Sequence, residues 1–294
     1  MTDKNQTLGF IGIGLMGKPM VYRLLDAGYK ANIWNRTPEK LIELENAGAK
    51  AFNSIEQLVT ASDVILLCLK DTGVVEDVVL NHILGRARAG QLLIDLSSID
   101  PQKTRDLAAT LFDKCGVSWV DAPVSGGVCG AEQGDLAIMA GGADKDIAIA
   151  RVVLAPLYKQ LTHMGAVGSG QITKICNQMI VSCNVMVIAE MIALAKATGV
   201  NAEKISEALA GGFADSKPLQ ILAPEMASET FEPVKWRVQT LLKDLNMAVN
   251  LASKQASSIP MSGLAAQLMQ CHASKGYAMQ DPATLIKLFD KDNA

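Results

Sequence analysis

The chain has 294 residues, of which 49% are hydrophobic and 19% charged, so it is long enough for two ordinary domains with sizeable cores. The formal net charge is only −3 and the basic residues are dispersed, a pattern that argues against nucleic-acid or membrane-surface binding. We therefore expect a small-molecule ligand, no nucleic acid and no membrane.

The N-terminal residues 1–7 are polar and lead into a short apolar run broken by glycines, which does not resemble a secretory signal peptide. The most apolar stretch, residues 180–195, contains Asn184 and Glu190 and is shorter than the roughly 20 residues that a bilayer-spanning helix needs, so we predict a buried helix there. The six cysteines form no Cys-x-x-Cys pair, and we expect them to be reduced and buried. These features predict a cytoplasmic protein.

Short β-branched runs alternate with helical patterns in the first half of the chain, which predicts a parallel sheet covered by helices. The predicted strands are residues 7–11, 31–34, 64–69, 92–96, 118–120 and 136–140. Helical patterns over residues 18–27 and 39–47 end at Gly28 and Gly48, where a left-handed glycine would terminate a helix. Asp100 followed by Pro101 predicts the start of another helix.

After about residue 165 the strand signals stop. The predicted helices there are residues 171–198, 201–210, 241–253 and 263–275. We infer an α/β nucleotide-binding domain over residues 1–165, followed by an all-α domain over residues 166–294.

Three glycines, Gly12, Gly14 and Gly17, form the pattern Gly-x-Gly-x-x-Gly directly after the first predicted strand and before a helical pattern. This context is typical of a dinucleotide-binding turn: the first glycine permits the tight turn, the second lets a pyrophosphate approach the backbone, and the third lets the helix pack close to the strand. An ordinary strand-to-helix turn is the alternative. The predicted cofactor-binding residues of this segment are Phe10, Ile11, Gly12, Ile13, Gly14, Leu15, Met16 and Gly17.

The residues after the second predicted strand, Asn35, Arg36 and Thr37, bear on the choice between NAD and NADP. An NAD enzyme usually has a carboxylate here that bonds the ribose 2′-hydroxyl, whereas Arg36 and Thr37 can donate hydrogen bonds to a 2′-phosphate. The segment therefore favours NADP over NAD. The alternative is that Arg36 is a solvated turn residue before Pro38.

Lys174 and Asn177 lie three residues apart in a predicted helix, so both occupy one helix face. Burying the charge of a lysine on a mainly apolar helix costs free energy unless the charge is used or paired. The alternative is a lysine whose stem packs on the surface while its ammonium reaches solvent.

Ser125, Gly126 and Gly127 follow a predicted strand, where a hydroxyl and backbone N–H groups can hold a carboxylate, although this is also an ordinary loop composition. The three histidines are interpreted as surface or packing residues, and no metal site is predicted.

Together these segments resemble the β-hydroxyacid dehydrogenase family over nearly the whole chain. Residues 9–20 look like its cofactor signature, residues 121–127 like its substrate signature, residues 165–177 like its catalytic signature and residues 243–245 like its late cofactor signature. The resemblance implies a doubly wound Rossmann-type α/β domain followed by an all-α domain, as in 6-phosphogluconate dehydrogenase, and a nicotinamide-dependent oxidoreductase.

The resemblance also implies a role for each matching residue. Lys174 would protonate the nascent alkoxide and Asn177 would orient the substrate, while the Ser125 loop would receive the substrate carboxylate. Ser97 would border the nicotinamide, and Asp244 would support Lys243. The further residues implied in cofactor binding are Leu69, Ser97 and Lys243.

Two positions near the expected substrate pocket depart from the family's pattern: Trp236 replaces a phenylalanine and Leu241 a histidine. Trp236 is nevertheless expected to bind substrate. We expect NADPH-dependent reduction of tartronate semialdehyde, glyoxylate or succinic semialdehyde, by a homodimer or homotetramer built through the helices. The alternatives are a 3-hydroxyisobutyrate dehydrogenase, a 6-phosphogluconate-type decarboxylating dehydrogenase and a non-catalytic nucleotide-binding protein.

Overall fold

The computed structural model describes residues 6–289 of the chain. Residues 1–5 of the polar N-terminal segment, and the outer ends of both predicted domains, lie outside the described residues. The chain divides into two compact units, Met1–Lys174 and Ile175–Ala294. The division falls inside one long helix.

The first unit contains a nine-stranded, mostly parallel sheet. The strands are β1 (Thr7–Ile11), β2 (Lys30–Trp34), β3 (Lys50–Ala51), β4 (Val64–Leu67), β5 (Leu92–Asp95), β6 (Ser118–Asp121), β7 (Val124–Ser125), β8 (Leu136–Gly141) and β9 (Tyr158–Gly165). Their order is β3-β2-β1-β4-β5-β6-β8-β7, and β9 pairs with β8. Since the chain builds outward from β1 in one direction and then adds β4 on its other side, the sheet is doubly wound, with its switch point between β1 and β4.

The helices of the first unit are α1 (Gly17–Asp26), α2 (Ile42–Asn46), α3 (Ile55–Thr60), α4 (Thr72–Asp77), α5 (Pro101–Cys115), α6 (Gly127–Gln133) and α7 (Asp144–Val153). Successive side chains of a strand point to opposite faces of a sheet. Accordingly, Leu8 and Phe10 lie in one hydrophobic cluster and Ile11 in another. The sheet is thus covered on both faces, as the alternation of strand and helix patterns predicts.

Most local predictions for the first unit are confirmed. The six predicted strands are present as β1, β2, β4, β5, β6 and β8. Gly28 and Gly48 have φ of +87° and +104° after α1 and α2, and the Asp100 carboxylate caps α5. The predicted helix over residues 39–47 is interrupted, because Pro38–Lys40 forms a separate exposed 3₁₀ turn before α2.

The second unit is helical, and no strand follows Gly165 in the described part of the chain. Its helices are the remainder of α8 (Ser169–Ala197), α9 (Ile205–Leu209), α10 (Lys217–Ser228), α11 (Val238–Lys254) and α12 (Pro260–His272), and a 3₁₀ helix spans Pro282–Leu288. The sequence does not predict α10, which contains Pro224. Its Leu222 and Met226 are fully buried with Leu245 of α11 and Met269 of α12, so tertiary packing stabilises a helix that local propensity disfavours.

The apolar helix α8 lies within two residues of the predicted helix over residues 171–198 at each end. It has 29 residues and is, among the described residues, the one helix long and apolar enough to cross a membrane by length and composition. By that criterion the predicted shortfall of the apolar stretch is wrong, although the helix itself was predicted to continue through Asn184 and Glu190. Less than half of the most apolar part of the helix is buried, and Ile180, Val187 and Leu194 are exposed along one side.

All six cysteines are free, as predicted. Their predicted burial is wrong for Cys129, Cys176 and Cys271, which are exposed on α6, α8 and α12. Each lies on the outward side of its helix, which the small, apolar character of a free cysteine does not predict.

Candidate active site

The Gly-x-Gly-x-x-Gly turn joins β1 to α1 at the carboxyl edge of the sheet, next to the switch point. Gly12 has φ of +108°, and a Cβ atom there would overlap the carbonyl oxygen of Cys68. A Cβ atom at Gly17 would overlap the carbonyl oxygen of Gly12, whereas one at Gly14 would have no heavy atom within 4 Å. There is therefore no room for a side chain at Gly12 or Gly17, whereas the space around Gly14 is open. A dinucleotide pyrophosphate could approach the backbone N–H groups of the turn through this space.

The other predicted cofactor residues of this segment divide by burial. Phe10, Ile11 and Ile13 are buried, and their side chains fill the hydrophobic clusters on the two faces of the sheet. Met16 is half-buried, and Leu15 is 75% exposed. The buried side chains therefore anchor the turn in the hydrophobic core. Of the five residues, only Leu15 and Met16 have side chains that are accessible to a ligand at the turn.

Asn35 connects the glycine turn to the segment that follows β2. Its Oδ1 accepts a hydrogen bond from the N–H of Ile13 at 3.0 Å, and its Nδ2 donates to the carbonyl oxygen of Thr37 at 3.0 Å. Arg36 and Thr37 are exposed next to it. The Asn35 amide is thus engaged by the backbone, while Arg36 and Thr37 are exposed to solvent.

Ser97 and Leu69 join the ends of two central strands. The N–H of Leu69, just after β4, donates to Ser97 Oγ at 2.9 Å, and the N–H of Ser97, just after β5, donates to Asp95 Oδ1 at 2.9 Å. Asp95 is fully buried, and this burial raises the pKa of its carboxyl group to about 7. Burial likewise raises the pKa of the neighbouring Cys68 thiol to about 12, so that this thiol is not a nucleophile at neutral pH.

Four strand ends lie side by side at this edge: Ile11 is in register with Leu67, Leu67 with Asp95, and Asp95 with Asp121. The carboxylate of Asp121 accepts hydrogen bonds from the backbone at the start of α8, the helix that carries Lys174. Burial raises the pKa of Asp121 to about 6, although these N–H groups favour its charged form. Lys174 is half-buried in the second turn of α8.

The predicted carboxylate-binding loop is also in the first unit. Ser125 ends β7, where it is paired with Ala137 of β8, and Gly126 has φ of +140° just before α6. Ser125 is half-buried, whereas Gly126 and Gly127 are exposed. The loop thus presents a hydroxyl group and glycine N–H groups without side chains that would block a small anion.

In the second unit, a chain of polar contacts links two residues that the resemblance marks. Asn177 Nδ2 donates to Gln178 Oε1 at 2.8 Å, and Gln178 Nε2 donates to Asp244 Oδ2 at 2.6 Å. Lys243 Nζ lies 3.2 Å from Asp244 Oδ1. Since Gln178 and Asp244 are buried, these contacts hold Asn177 and Lys243 in place. Trp236 is half-buried against the core of this unit, between α10 and α11.

Sequence reasoning misses two glutamines of α8. Gln171 and Gln178 are 1% and 8% exposed, and both use their side-chain amides in hydrogen bonds. Their spacing of seven residues places them on the same side of an apolar helix. This repeat of amide side chains, where apolar residues are expected, is the signal that could have identified them.

Two family models match almost the whole chain. The NAD binding domain of 6-phosphogluconate dehydrogenase matches residues 7–165, and the NAD-binding domain of NADP-dependent 3-hydroxyisobutyrate dehydrogenase matches residues 168–289. The chain is 33% identical to 2-hydroxy-3-oxopropionate reductase of Escherichia coli, covering 96% of this chain and 97% of that protein. It is 32% identical to NAD-dependent L-serine dehydrogenase of Pseudomonas aeruginosa, covering 96% and 97%.

A solved structure of Mycobacterium tuberculosis 3-hydroxyisobutyrate dehydrogenase with L-serine matches with a TM-score of 0.86 and 29% identity, covering 96% of this chain and 98% of that one. The fold, the glycine turn and these matches define an NAD(P)-dependent oxidoreductase that acts on a hydroxy acid or its carbonyl form. The chain belongs to the β-hydroxyacid dehydrogenase family. The predicted family, fold class and enzyme class are confirmed, and the non-catalytic alternative loses its support.

Proposed function

We propose that the chain catalyses the reversible, NADPH-dependent reduction of a small aldehyde that carries a carboxylate to the corresponding hydroxy acid. Tartronate semialdehyde is the first candidate, because a relative that matches over the full chain is named for this compound, 2-hydroxy-3-oxopropionate. Glyoxylate and succinic semialdehyde are the other candidates. The observation that carries the proposal is a lysine, Lys174, on a helix whose first turn is hydrogen-bonded to the end of β6, at the same carboxyl edge of the sheet as the glycine turn.

Lys174 is the proposed proton donor. The bound cofactor supplies a hydride to the carbonyl carbon. As the carbonyl oxygen gains negative charge, the ammonium group of Lys174 donates a proton to it, and in oxidation the amine accepts that proton. We assign the hydroxyl of Ser125 and the N–H groups of Gly126 and Gly127 to the substrate carboxylate, and the Asn177 amide to orientation of the substrate.

NADPH rather than NADH is proposed from the segment after β2. Arg36 offers a planar guanidinium and Thr37 a hydroxyl to a 2′-phosphate, and the three residues from Asn35 to Thr37 include no carboxylate that would repel it. We assign the glycine turn to the pyrophosphate and Ser97 and Leu69 to the nicotinamide side. From the resemblance we also assign Lys243 to cofactor binding and Trp236 to substrate binding.

A cytoplasmic homodimer or homotetramer is also proposed. Ile180, Val187 and Leu194 are 72%, 53% and 66% exposed at intervals of seven residues along α8, and such an apolar stripe is typical of an interface. Light scattering of the purified chain, compared with its Val187→Lys variant, would measure the assembly and its dependence on this stripe. A monomeric wild type would contradict this part of the proposal.

The activity is tested by following oxidation of NADPH and NADH with tartronate semialdehyde, glyoxylate, succinic semialdehyde and methylmalonate semialdehyde in parallel. We expect the first three to be reduced faster than the fourth, and NADPH to be preferred. The second candidate function is that of a hydroxy-acid dehydrogenase, which the names of matching proteins support. Oxidation of 3-hydroxyisobutyrate or L-serine that is faster than reduction of any of these aldehydes would favour it.

Lys174→Ala should lower turnover by about 100-fold or more, because a positioned general acid contributes roughly that factor, while NADPH binding is retained. Lys196→Ala is the matched control, since Lys196 lies on the same helix and pairs with Glu229 at 2.7 Å. Turnover of the Lys174 variant close to that of the control would remove Lys174 from the mechanism.

A further inference from the structure

We propose that Asp121 and Gln171 are positioning residues that hold the first turn of α8 on the sheet and thereby set the place of Lys174. This inference deepens the proposed function and rests on it. Asp121 is the last residue of β6 and is fully buried. Its Oδ1 accepts the N–H of Gly168 at 2.7 Å, and its Oδ2 accepts the N–H of Gln171 at 2.9 Å. Both carboxylate oxygens are therefore committed to the start of one helix, whose positive dipole end favours a negative charge.

The side chain of Gln171 makes a second attachment. Its Oε1 accepts the N–H of Ile99 at 3.1 Å, and its Nε2 donates to the carbonyl oxygen of Ser97 at 2.9 Å. Both partners belong to the segment that follows β5, the same segment whose Ser97 joins β5 to β4. One residue of α8 is thus bonded through its backbone to β6 and through its side chain to the next strand end in the sheet.

Two glycines allow the helix to lie directly against the strand ends. A Cβ atom at Gly170 would overlap the carbonyl oxygen of Met139 and lie 2.8 Å from Asp121 Oδ2, and one at Gly141 would lie 2.7 Å from Asp121 Oδ1. Any side chain at either position would separate the first turn of α8 from the carboxylate. Gly168, with φ of +90°, directs its N–H to Asp121 from a conformation that favours glycine.

These contacts bear directly on Lys174, because it follows Gln171 by three residues and so lies on nearly the same helix face. A helix transmits a displacement of its first turn to the second turn with little loss. A misplacement of about 1 Å at a reacting group can reduce turnover by about 100-fold. The glycines of the catalytic segment, on this view, dock the lysine-bearing helix and do not contact the substrate.

The proposal is tested with Asp121→Asn and Gln171→Met. In the first variant the amide nitrogen must face one of two N–H donors, and in the second both side-chain hydrogen bonds are lost. We expect turnover to fall by about 100-fold in each. The dissociation constant for NADPH should change less than about twofold in Asp121→Asn, because the side-chain contacts of Asp121 include no residue assigned to the cofactor. Amide hydrogen exchange over residues 168–174 and acylation of Lys174 by an amine reagent, followed by mass spectrometry, should both become faster.

Asp63→Asn is the matched control. At the opposite edge of the sheet, Asp63 Oδ2 accepts the N–H of Thr7 at 3.0 Å and its Oδ1 accepts from Arg88 Nη2 at 3.0 Å. Asparagine there must also present its amide nitrogen to one of two donors, but without touching α8. It should leave turnover and the acylation of Lys174 as in the wild type.

Unchanged exchange and unchanged Lys174 acylation in both variants would overturn the proposal, whether or not the enzyme is active on any compound tested. A fall in turnover that only matches the loss of folded, NADPH-binding protein would also overturn it, since this indicates a purely structural role. If the wild type reduces none of the aldehydes, the proposed function fails, and exchange and acylation still decide whether Asp121 and Gln171 anchor the helix.

Discussion

Alanine at Gly14 and alanine at Gly17 should affect different properties, although the two residues share one turn. At Gly17 the added methyl would overlap the Gly12 carbonyl oxygen and lie 3.1 Å from Phe10 Cε1, so α1 would have to move away from a buried strand. Such overpacking lowers the free energy of unfolding by about 1–3 kcal/mol. At Gly14 the added methyl would have no heavy atom within 4 Å, so the free energy of unfolding should change by less than about 0.5 kcal/mol. That same methyl would occupy space for the pyrophosphate and weaken NADPH binding by about tenfold or more, or about 1.4 kcal/mol.

Denaturant unfolding and NADPH titration, each performed on both variants, measure the two effects. Gly263→Ala is a suitable control, because Gly263 lies in α12 and also has open space around a Cβ atom. It should alter neither stability by much nor cofactor binding. Our account of the turn would be refuted if Gly14→Ala bound NADPH as tightly as the wild type, or if it were as unstable as Gly17→Ala.

Two further predictions concern cofactor choice and stability. Arg36→Asp should shift the ratio of NADPH to NADH turnover by at least about tenfold towards NADH, through repulsion of the 2′-phosphate, and an unchanged ratio would argue against a role for Arg36. His272 is 1% exposed and accepts or donates a hydrogen bond with Thr284 at 2.9 Å, and its pKa is lowered to about 4 by burial first and then by Lys275 and Lys287. Between this pKa and the unfolded value of about 6.5 the unfolded chain binds more protons, so His272 should reduce the free energy of unfolding by about 2 kcal/mol at pH 5 relative to neutral pH. His272→Gln should flatten this pH dependence in denaturant unfolding, and an equally steep dependence would show that other groups cause it.

The fold could be predicted best where strands are buried on both faces. β1, β4 and β5 lie in the middle of the sheet, and a central parallel strand must be apolar along its whole length, so its run stands out in the sequence. β9 could not be recognised in this way, since Lys159, Gln160 and Thr162 are exposed and Leu161 is its one buried side chain. The two-residue strands β3 and β7 are too short to show any period.

The candidate site was predictable where its geometry is local. The Gly12, Gly14 and Gly17 pattern is a spacing within six residues, and Lys174 and Asn177 share a helix face by spacing alone. The long-range contacts that hold these groups in place were not predictable by the same reasoning. Gln178 contacts Asp244 from 66 positions away, and the side chain of Asn35 supports Ile13 from 22 positions away.

The amino-acid sequence by itself determined the cofactor turn, the change from α/β to helical structure near residue 165 and the order of the family motifs, because each depends on residues close together in the chain. Only the tertiary structure decided that Asp121 receives the start of α8, 50 positions later, and that Gln171 reaches the segment after β5. Such contacts depend on which strand ends become neighbours and on how closely a helix can approach them. That proximity arises from packing of the whole sheet and is not present in any local pattern.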